Sequence, residues 1–519
     1  MTQYESLYKA LRQMQRGVLK MFFAGLDIGT SGCKCVIADE KGNEVSSSYR
    51  AYATNREKGR QEIYPDDLKK SVFHVIKEAV ATSGCKDISA LSLTSFGESC
   101  VMLDKDGKTL SPIILYTDSR GTKECDELKN NLGDRHIFDI TGHHCHIMFL
   151  LPKLIWMKRN QPEIYAQISH ILPITSFVIY SLTGRFICDY SLSSRLLMFD
   201  IHKKEWSDEM LSYAEIDRSL LPETVPTGTV TGVIAPHIAN ELGLGKNVKV
   251  VAGPQDQIAC AIGTGCVNSE YVVNGSGTVD CYTPMYPSAK YPGDKKIFFD
   301  GGFPILPSFD NYLTSFAFVM NSGSLREWYL KTFMPYLSAR AKRKGVKIWD
   351  LAEDFIKDDP TGMMVVPHFT GSATPYMDPL SKSIIIGLNF ETGPEELFTA
   401  LVEGITYDGY KNLQILKECG IEINKLRATG GGSRSPKWLQ LKADLFGIEV
   451  GTVKSKESGA IGTIMLSCVA SGIYKDLKEA MSEMVKPGTI YYPNKSRGDK
   501  YREIYEKQSK LYECFKTLE

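Results

Sequence analysis

The chain has 519 residues and no net charge, because 61 Lys and Arg residues balance 61 Asp and Glu residues. This balance removes the usual electrostatic case for binding nucleic acid or an anionic membrane surface. With 43% hydrophobic and 24% charged residues, the composition is that of a globular enzyme and argues against disorder. The length suggests about three domains, or two large ones.

The cysteines and the first residues bear on the compartment. The 13 cysteines are odd in number and follow no fixed spacing, unlike the dense disulfide framework of a small secreted protein. We therefore expect a reducing, cytoplasmic environment. Residues 1–20 have no apolar stretch of signal-peptide length and are expected to form a short polar helix or a tail, with Met21 as a candidate start. The sequence contains no run of about 18 apolar residues, so no membrane span is predicted.

The ordered pattern begins at Met21 with a predicted β-meander. The segments MFFAGLDIG, CKCVIAD and EVSSSYRAY form three strands, the first two joined by the tight turn Asp27-Ile28-Gly29-Thr30-Ser31. A helix follows, with Pro65 near its first turn and Gly84 at its end. Next come a strand, SALSLTSF, and a predicted hairpin with residues 105–107 at its tip.

The middle of the chain is predicted to be mostly helical, up to a buried strand within 246–256 and a small-residue helix after it. A second meander begins at Glu270, where EYVVNGSGTVDCYTP sets a Gly-Thr turn between two strands, as DIGTSG does in the first meander. This repeated pattern predicts two similar α/β lobes with a boundary near 265–269. We expect a first unit at 21–266 and a second at 267–519.

The second half is predicted to end in a strand, a glycine loop and a helix. KLRAT is the strand, Gly430-Gly431-Gly432 the loop, and SPKWLQLKADLFG a helix that Ser435 can cap. An earlier helix begins with the capping-box pair Thr392 and Glu395. ESGAIGTIMLSCVASG is a later helix whose small residues allow close approach to a neighbour. The terminal segment is expected to be an amphipathic helix that packs across the lobes or against a partner.

Three glycine-containing loops carry the first chemical signals. Gly29, Thr30 and Ser31 offer backbone N–H groups and hydroxyls to an anion, and Gly277-Thr278 repeats this chemistry. One copy alone is more typical of a plain hairpin turn, whereas two copies in matching contexts predict a clamp on a polyphosphate. Gly431-Gly432 precedes a helix N-terminus, where a ring or phosphate can lie on bare backbone, unless the loop only leads into the helix.

Charged residues flank these loops. Asp27 is a candidate Mg²⁺ ligand, normally through water, and Lys34 lies within reach of a phosphate. Asp256 follows a buried strand, where α/β folds bind ligands, or else caps the next helix. The run His143-His144-Cys145-His146 lacks the common zinc spacings and is interpreted as a loop with polar contacts.

Taken together, these motifs resemble the FGGY carbohydrate kinases from about Phe22 to Tyr474, nearly the whole chain. FAGLDIGTSGCKCVIAD resembles the family's first phosphate motif. ILYTDSR resembles its Trp-x-Asp-x-Arg motif, with Tyr116 where Trp is usual. The later family segments are matched in order by GPQDQIACAIGTG with GSGTVD, VVPHFTGSATPYMDP, ATGGGSRSPKWLQLKADLFGIEV and ESGAIGTIMLSCVASGIY.

The resemblance implies a two-lobed actin-like ATPase fold, of the ribonuclease H-like type, with a central cleft that closes on substrate. It also implies ATP and Mg²⁺ as cofactors and a small sugar or polyol as substrate. Asp256 would be the general base, and Asp27 and Asp256 the metal-binding carboxylates. The nucleotide and its phosphates would contact Asp27, Gly29, Thr30, Ser31, Lys34, Gly277, Thr278, Gly323, Gly431 and Gly432. Dimers are common in this family, so a homodimer is compatible with the resemblance.

The resemblance is least close in the substrate pocket, for which the candidates are Phe96, Gly97, Glu98, Asp118, Asp256 and Gln257. Xylulokinases usually carry Gly-Gln-Met-His-Gly where this chain has Ser95-Phe96-Gly97-Glu98-Ser99. Glycerol kinases have Glu at the Glu98 position, preceded by Arg instead of Gly. Phe96 is expected to pack on a sugar face, and Glu98 favours a polyol or neutral sugar over a sugar acid. Asp189 and Arg195 match a segment near the cleft, or have a purely structural role.

Two alternatives come from other functional classes. An actin-like ATPase that acts as a chaperone or switch also carries two phosphate hairpins, but it does not need Asp118 with Arg120, or a carboxylate placed like Asp256. A sugar-binding sensor without activity is disfavoured by intact Asp27, Thr30, Asp256 and Thr278. The expected function is therefore ATP-dependent phosphorylation of a hydroxyl on a small sugar or polyol, without nucleic acid or membrane partners.

Overall fold

The computed structural model describes residues 20–57, 59–267, 270–290 and 295–516. The predicted polar segment before Lys20 and residues 268–269 of the predicted boundary lie outside these ranges. Each of the 13 cysteines is a free thiol, as expected for a chain without a disulfide framework. Within the described ranges, no helix combines the length and the apolar character that crossing a bilayer requires.

The strands, in chain order, are β1 (Phe22–Ile28), β2 (Gly32–Asp39), β3 (Glu44–Ala51), β4 (Asn55–Glu57), β5 (Arg60–Ile63), β6 (Ile88–Ser95), β7 (Cys100–Leu103), β8 (Ile113–Ile114), β9 (His170–Pro173), β10 (Ile187–Asp189), β11 (Phe199–Asp200), β12 (Glu205–Trp206), β13 (Glu223–Val225), β14 (Val230–Val233), β15 (Lys249–Gln255), β16 (Tyr271–Ser276), β17 (Asp280–Pro287), β18 (Leu306–Pro307), β19 (Tyr312–Thr314), β20 (Ala317–Val319), β21 (Met364–Val366), β22 (Ile384–Ile386), β23 (Lys425–Gly430), β24 (Glu449–Val453) and β25 (Pro487–Tyr491).

The α-helices are α1 (Pro65–Ser83), α2 (Thr122–Leu132), α3 (Asp134–Thr141), α4 (Leu150–Asn160), α5 (Pro162–Tyr165), α6 (Ile174–Thr183), α7 (Tyr190–Ser194), α8 (Asp208–Ala214), α9 (Pro236–Leu242), α10 (Asp256–Gly263), α11 (Lys295–Asp300), α12 (Gly323–Phe333), α13 (Pro335–Lys344), α14 (Ile348–Ala352), α15 (Pro394–Glu418), α16 (Pro436–Phe446), α17 (Ser458–Ala470), α18 (Leu477–Met484), α19 (Lys495–Gln508) and α20 (Leu511–Lys516).

Two large sheets share one arrangement of strands. In the first sheet, β1 pairs antiparallel with β2 and parallel with β6, which pairs parallel with β15. In the second sheet, β16 pairs antiparallel with β17 and parallel with β23, which pairs parallel with β24. Each Gly-Thr turn joins the matching antiparallel pair, so the similarity predicted from these turns is present in the strand topology.

Local signals determined several of the element ends. Helix α1 begins at Pro65 and ends at Gly84, whose φ of 67° is the left-handed conformation that glycine adopts readily. Helix α16 is capped by Ser435, as predicted. The predicted capping box of Thr392 and Glu395 is wrong, because α15 begins at Pro394 without a side-chain cap. The predicted hairpin with residues 105–107 at its tip is confirmed as a short one: the Asp104 N–H donates to the Lys108 carbonyl at 2.9 Å and the Leu110 N–H to that of Met102 at 3.0 Å, while β7 pairs along its length with β9.

Helix α17 joins the two halves of the chain. It follows the second sheet in sequence but packs on β1, β6 and α10. A Cβ on Gly25 of β1 would lie 2.3 Å from the Ala460 carbonyl oxygen, and one on Gly263 of α10 would lie 1.9 Å from that of Ser458. The predicted close approach of this small-residue helix is therefore confirmed. The terminal helices instead pack within the second half, where the rings of Tyr505 and Tyr410 lie 4.8 Å apart.

Candidate active site

The first Gly-Thr turn, residues 29–31, lies between β1 and β2. The Gly29 N–H donates to the Gly32 carbonyl at 2.9 Å, and the Thr54 hydroxyl donates to the Thr30 carbonyl at 3.2 Å. Ser31 is exposed at the tip of the turn. Asp27, near the end of β1, is opposite Lys34 on β2. The turn therefore has a fixed backbone, with one carboxylate and one ammonium group beside it.

The second Gly-Thr turn, between β16 and β17, is held by the start of α12. The Gly277 N–H donates to the Val279 carbonyl at 2.8 Å, which closes the turn. The Gly323 N–H donates to the Gly277 carbonyl at 3.1 Å, and the Ser324 N–H donates to that of Thr278 at 3.3 Å. The three nucleotide candidates Gly277, Thr278 and Gly323 thus form one contact unit, although Gly323 lies well beyond the turn in sequence.

The glycine loop lies on the end of β16, directly before this second turn. A Cβ on Gly430 would lie 2.6 Å from the Ser276 carbonyl oxygen, and one on Gly432 would lie 2.4 Å from the Ser276 Cβ. A Cβ on Gly432 would also lie 2.8 Å from the Trp438 ring. Side chains at these glycines would therefore push the loop away from the turn. Gly431 and Gly432 lie against Ser276, the residue before Gly277, and a nucleotide site shared with the turn stays a prediction.

A buried ion pair under the second turn was missed from the sequence. Lys442 of α16 and Asp280 of β17 have fully buried side chains, and Lys442 Nζ lies 2.9 Å from Asp280 Oδ2. Lys442 also donates to Asn274 Oδ1 at 2.6 Å and to Ser276 Oγ at 3.1 Å. This network joins α16 to both strands of the turn. Asp280 was visible in GSGTVD, but nothing local marks Lys442 as its partner.

Asp256 is the first residue of α10, at the end of the parallel strand β15. Its alternative role as the helix N-cap is wrong, because Gln255 is the cap and accepts from the Gln257 N–H at 2.9 Å. The Gln255 side-chain amide donates to Asp256 Oδ1. Gln257 Oε1 would lie 3.2 Å from a Cβ on Gly275, so its side chain lies beside β16. The Asp256-Gln257 pair therefore lies between the two sheets.

The carboxylates of the site influence one another's charge. Burial raises the pKa of Asp256 to about 7, with smaller upward contributions from the negative charges of Asp27 and Glu98. Burial also raises the pKa of Asp27 to about 6, helped by Glu457 and opposed by Lys34. Carboxylates held together in this way suit a hard cation such as Mg²⁺, which binds oxygen ligands and keeps several waters.

Two places in the sequence bear on metal binding: the carboxylates Asp27 and Asp256, and the segment His143–His146. Among the described residues, no group of three or more His, Cys, Asp and Glu side chains is arranged to hold a metal ion. In the segment His143–His146, which was predicted to make polar contacts, His144 Nδ1 lies 2.7 Å from the Asp134 carboxylate. A magnesium ion held by Asp27 and Asp256 would need water or nucleotide oxygens for its other ligands.

Glu98 is 5% exposed and has a φ of 64°, which is uncommon for a residue other than glycine. Its carboxylate accepts hydrogen bonds from the Arg195 guanidinium. A Cβ on Gly97 would lie 3.0 Å from the Arg195 side chain, so glycine leaves the space that this arginine fills. Phe96 is 5% exposed and packs in the core of the first sheet, which leaves little of its ring for a sugar.

Asp118 is occupied by protein partners. Its carboxylate accepts from the Arg120 guanidinium at 2.8 and 2.9 Å and from the Gln61 N–H at 2.7 Å. Although burial opposes the change, these bonds lower the pKa of Asp118. Lys34 is likewise paired, since its Nζ lies 2.7 Å from Glu457 Oε1. A substrate contact by Asp118 or a phosphate contact by Lys34 stays a prediction.

Tyr116 and Glu457 were not predicted to lie at the pocket, and Arg195 was predicted near the cleft but without its partner. Burial raises the pKa of Tyr116, with smaller upward contributions from the negative charges of Glu98 and Asp256. Arg195 contacts Glu98, and Glu457 contacts Lys34. Tyr116 was detectable as the replacement in ILYTDSR. The two ion pairs had no sequence signal, because their partners are far apart along the chain.

Two sheets of like topology, each with a Gly-Thr turn, and the carboxylates between them define a two-lobed ATP-dependent kinase with an actin-like fold. Residues 22–263 match the N-terminal domain of the FGGY family of carbohydrate kinases, and residues 308–471 match its C-terminal domain. The chain therefore belongs to the FGGY family of carbohydrate kinases. The predicted fold class and enzyme class are both confirmed.

Individual relatives extend the similarity over almost the full length. The xylulose kinase of Bacillus subtilis (strain 168) is 26% identical over 501 residues, covering 96% of this chain and 98% of the relative. The crystal structure of a xylulose kinase from Brucella ovis superposes with a TM-score of 0.87 at 25% identity, over 96% of this chain and all of that one. That of gluconate kinase from Lactobacillus acidophilus has a TM-score of 0.86 at 22% identity, over 96% and 98%.

Proposed function

We propose that the protein transfers the γ-phosphate of ATP to a hydroxyl of a small neutral sugar or polyol, with Asp256 as the general base. The observation that carries this proposal is the environment of Asp256. It follows a buried parallel strand, faces Asp27 and Glu98, and has a pKa of about 7. A carboxylate with this pKa can accept a proton from a hydroxyl at neutral pH.

The two Gly-Thr turns would hold the phosphates from opposite sheets. Thr30 and Ser31 contribute from the first turn, and Gly277 and Thr278 from the second. Gly431 and Gly432 would border the adenosine, because their bare backbone lies beside the second turn. Asp27 and Asp256 would hold Mg²⁺ mainly through water, and the bound ion would reduce the negative charge that develops on the phosphates.

The reaction then requires a short sequence of bond changes. The Asp256 carboxylate takes the hydroxyl proton, and the substrate oxygen forms a bond to the γ-phosphorus. The bond between that phosphorus and the β–γ bridging oxygen breaks, and ADP departs with the electron pair. Most of the rate enhancement comes from positioning the two substrates in line and stabilising charge. Closure of the two halves would exclude water, which otherwise competes as the acceptor.

The charge of the pocket supports a neutral acceptor. The xylulose kinase and gluconate kinase relatives are named for substrates of different charge, a neutral ketose and a sugar acid. Here Asp256 and Asp27 face the substrate region as acids, and the charge of Arg195 is already matched by Glu98. Among Asp27, Glu98, Asp256 and Arg195, no positive charge is left unpaired to attract a carboxylate substrate. The two aspartates, when ionised, would repel such a substrate. We therefore infer a polyol or uncharged sugar.

An ADP-release assay with Mg·ATP would test the proposal against ketoses, alditols, aldoses and sugar acids. The expected result is strong release with a small number of neutral compounds and background release with the acids. The proposed function would be overturned if a sugar acid were the best substrate. It would also be overturned if ADP release did not depend on any sugar, which is the behaviour of an actin-like ATPase without an acceptor.

A further inference from the structure

Arg195 and Glu98 form the least exposed ion pair beside the candidate base. Arg195 is 6% exposed and follows the last residue of α7, and Glu98 is 5% exposed. Both Nε and Nη2 of Arg195 lie against Glu98 Oε1. Within the described part of the chain, no hydrogen bond uses Glu98 Oε2 or Arg195 Nη1. One acceptor and one donor of the pair therefore remain available.

The surroundings hold this pair in one arrangement. The left-handed φ of Glu98 is unfavourable for a residue with a side chain and persists only where neighbouring groups fix it. The Arg195 guanidinium lies 5.2 Å from the Phe149 ring centre and 5.6 Å from that of Phe316, which restricts its orientation. Gly97 supplies the room for the arginine stem.

Helix α7 links this pair to the segment that carries the base. The Ser191 hydroxyl accepts from the Gln255 N–H at 2.9 Å, one residue before Asp256. Asp189 caps the same helix and also accepts from the Thr227 hydroxyl at 2.7 Å. The start of α7 is thus bonded to the end of β15, and its end presents Arg195 to Glu98. A single short helix fixes both carboxylates relative to each other.

We propose that Arg195 and Glu98 bind the substrate as one unit: Arg195 holds one oxygen of Glu98 so that the other accepts a hydrogen bond from a substrate hydroxyl, and a free guanidinium N–H donates to the adjacent substrate oxygen. The inference rests on the proposed function and narrows it to acceptors with two neighbouring hydroxyl groups. A hydroxyl can both donate and accept, so a vicinal diol satisfies both members of the pair. The pair is neutral as a whole and gives no advantage to an acid.

The test compares Arg195→Met, Arg195→Lys, Glu98→Gln and the double variant Arg195→Met/Glu98→Gln with wild type, using the best neutral substrate of the ADP-release assay. Arg497→Met is a matched control, because Arg497 pairs with Asp444 at 2.9 Å in the second half of the chain. We expect Arg195→Met to raise the sugar KM at least tenfold, roughly the effect of losing a charged hydrogen bond. The KM for ATP should change less than about threefold, and Arg195→Lys should restore part of the loss.

The double variant separates joint binding from independent binding. Because the two residues are proposed to bind the diol as one unit, the rise in sugar KM in Arg195→Met/Glu98→Gln should be smaller than the product of the rises in the two single variants. Additive losses, or an unchanged sugar KM in Arg195→Met, would overturn the inference while leaving the kinase function intact. Gly97→Ala provides a second test if Arg195→Met folds poorly, because it displaces the arginine without removing charge; an unchanged sugar KM there also contradicts the inference. A wild-type protein inactive with every compound contradicts both proposals.

Discussion

Gly323 lies directly against Gly277, and the contact leaves no room for a side chain. The Gly323 N–H donates to the Gly277 carbonyl at 3.1 Å, and a Cβ on Gly323 would lie 2.2 Å from that oxygen. Real Cβ atoms do not approach an oxygen so closely, so any larger residue must displace the turn or the helix. The second Gly-Thr turn and the start of α12 are therefore held together by backbone contacts alone.

Gly323→Ala should weaken nucleotide use more than sugar use. We expect the KM for ATP to rise about tenfold, as misplacing one positioning loop commonly does, with the sugar KM nearly unchanged. Steady-state kinetics with each substrate varied in turn would measure this difference. Gly393→Ala is the matched control, since a Cβ there meets nothing within 4 Å. Equal effects of the two alanine variants would show that the contact does not matter for the nucleotide.

The ion pair of Lys34 and Glu457 predicts opposite behaviour for two variants. Both side chains are about 30% exposed, so the pair itself adds little to stability. If Lys34 moves to a phosphate when ATP binds, Lys34→Met should raise the KM for ATP about tenfold, because a charged hydrogen bond is lost. Glu457→Gln should leave that KM unchanged or lower it, because it removes a competitor for the lysine. Similar increases in both variants would mean that only the ion pair matters.

The raised pKa of Asp256 predicts an acidic limb in the pH dependence of kcat/KM. A general base must be ionised, so activity should fall about tenfold per unit below pH 7. Glu98→Gln removes a neighbouring negative charge and should move the limb to lower pH. Asp27, with a pKa of about 6, is influenced by Glu457 and Lys34 instead. A limb that does not move in Glu98→Gln would exclude Asp256 as its source.

Some features of the structure are determined by local sequence patterns, and others are determined only by contacts in the folded chain. The Gly-Thr turns and the ends of α1 were predictable, because the residues that form them are adjacent. The Thr392 capping box failed because Pro394 begins the helix, and the Thr392 hydroxyl instead accepts from the Asn389 N–H at 3.1 Å. A competing local turn therefore uses the Thr392 hydroxyl that the capping box would have required.

The site shows the same division. The sequence indicated Asp27, Asp256 and all three glycine loops, because each lies at the end of a recognisable strand. It did not indicate that Arg195 would face Glu98, which lies 97 residues earlier and next to a glycine that leaves the space. Tertiary packing alone brings these two side chains together. The division of the chain at 266/267, the cytoplasmic location and the homodimer stay predictions.

Glu403 provides a stability test far from the reaction. Burial raises its pKa to about 8, although the Thr361 hydroxyl and N–H donate to it. The neutral carboxyl therefore favours the folded state below the unfolded pKa of about 4.5, and this contribution is lost as the pH rises through 8. Relative to Glu403→Gln, wild type should lose on the order of 4–5 kcal/mol in unfolding free energy between pH 4 and 9. Urea unfolding of both proteins would measure it, and a constant difference would contradict the assignment.

The most direct test of the central claim is a comparison of wild type with Asp256→Asn. ATP consumption and phosphorylated product would be quantified together by mass spectrometry, and ATP binding by calorimetry. We expect one phosphorylated sugar per ATP in wild type, and in Asp256→Asn a loss of at least about a hundredfold in turnover with ATP binding retained. Near-normal turnover in Asp256→Asn would contradict the claim that this carboxylate is the base.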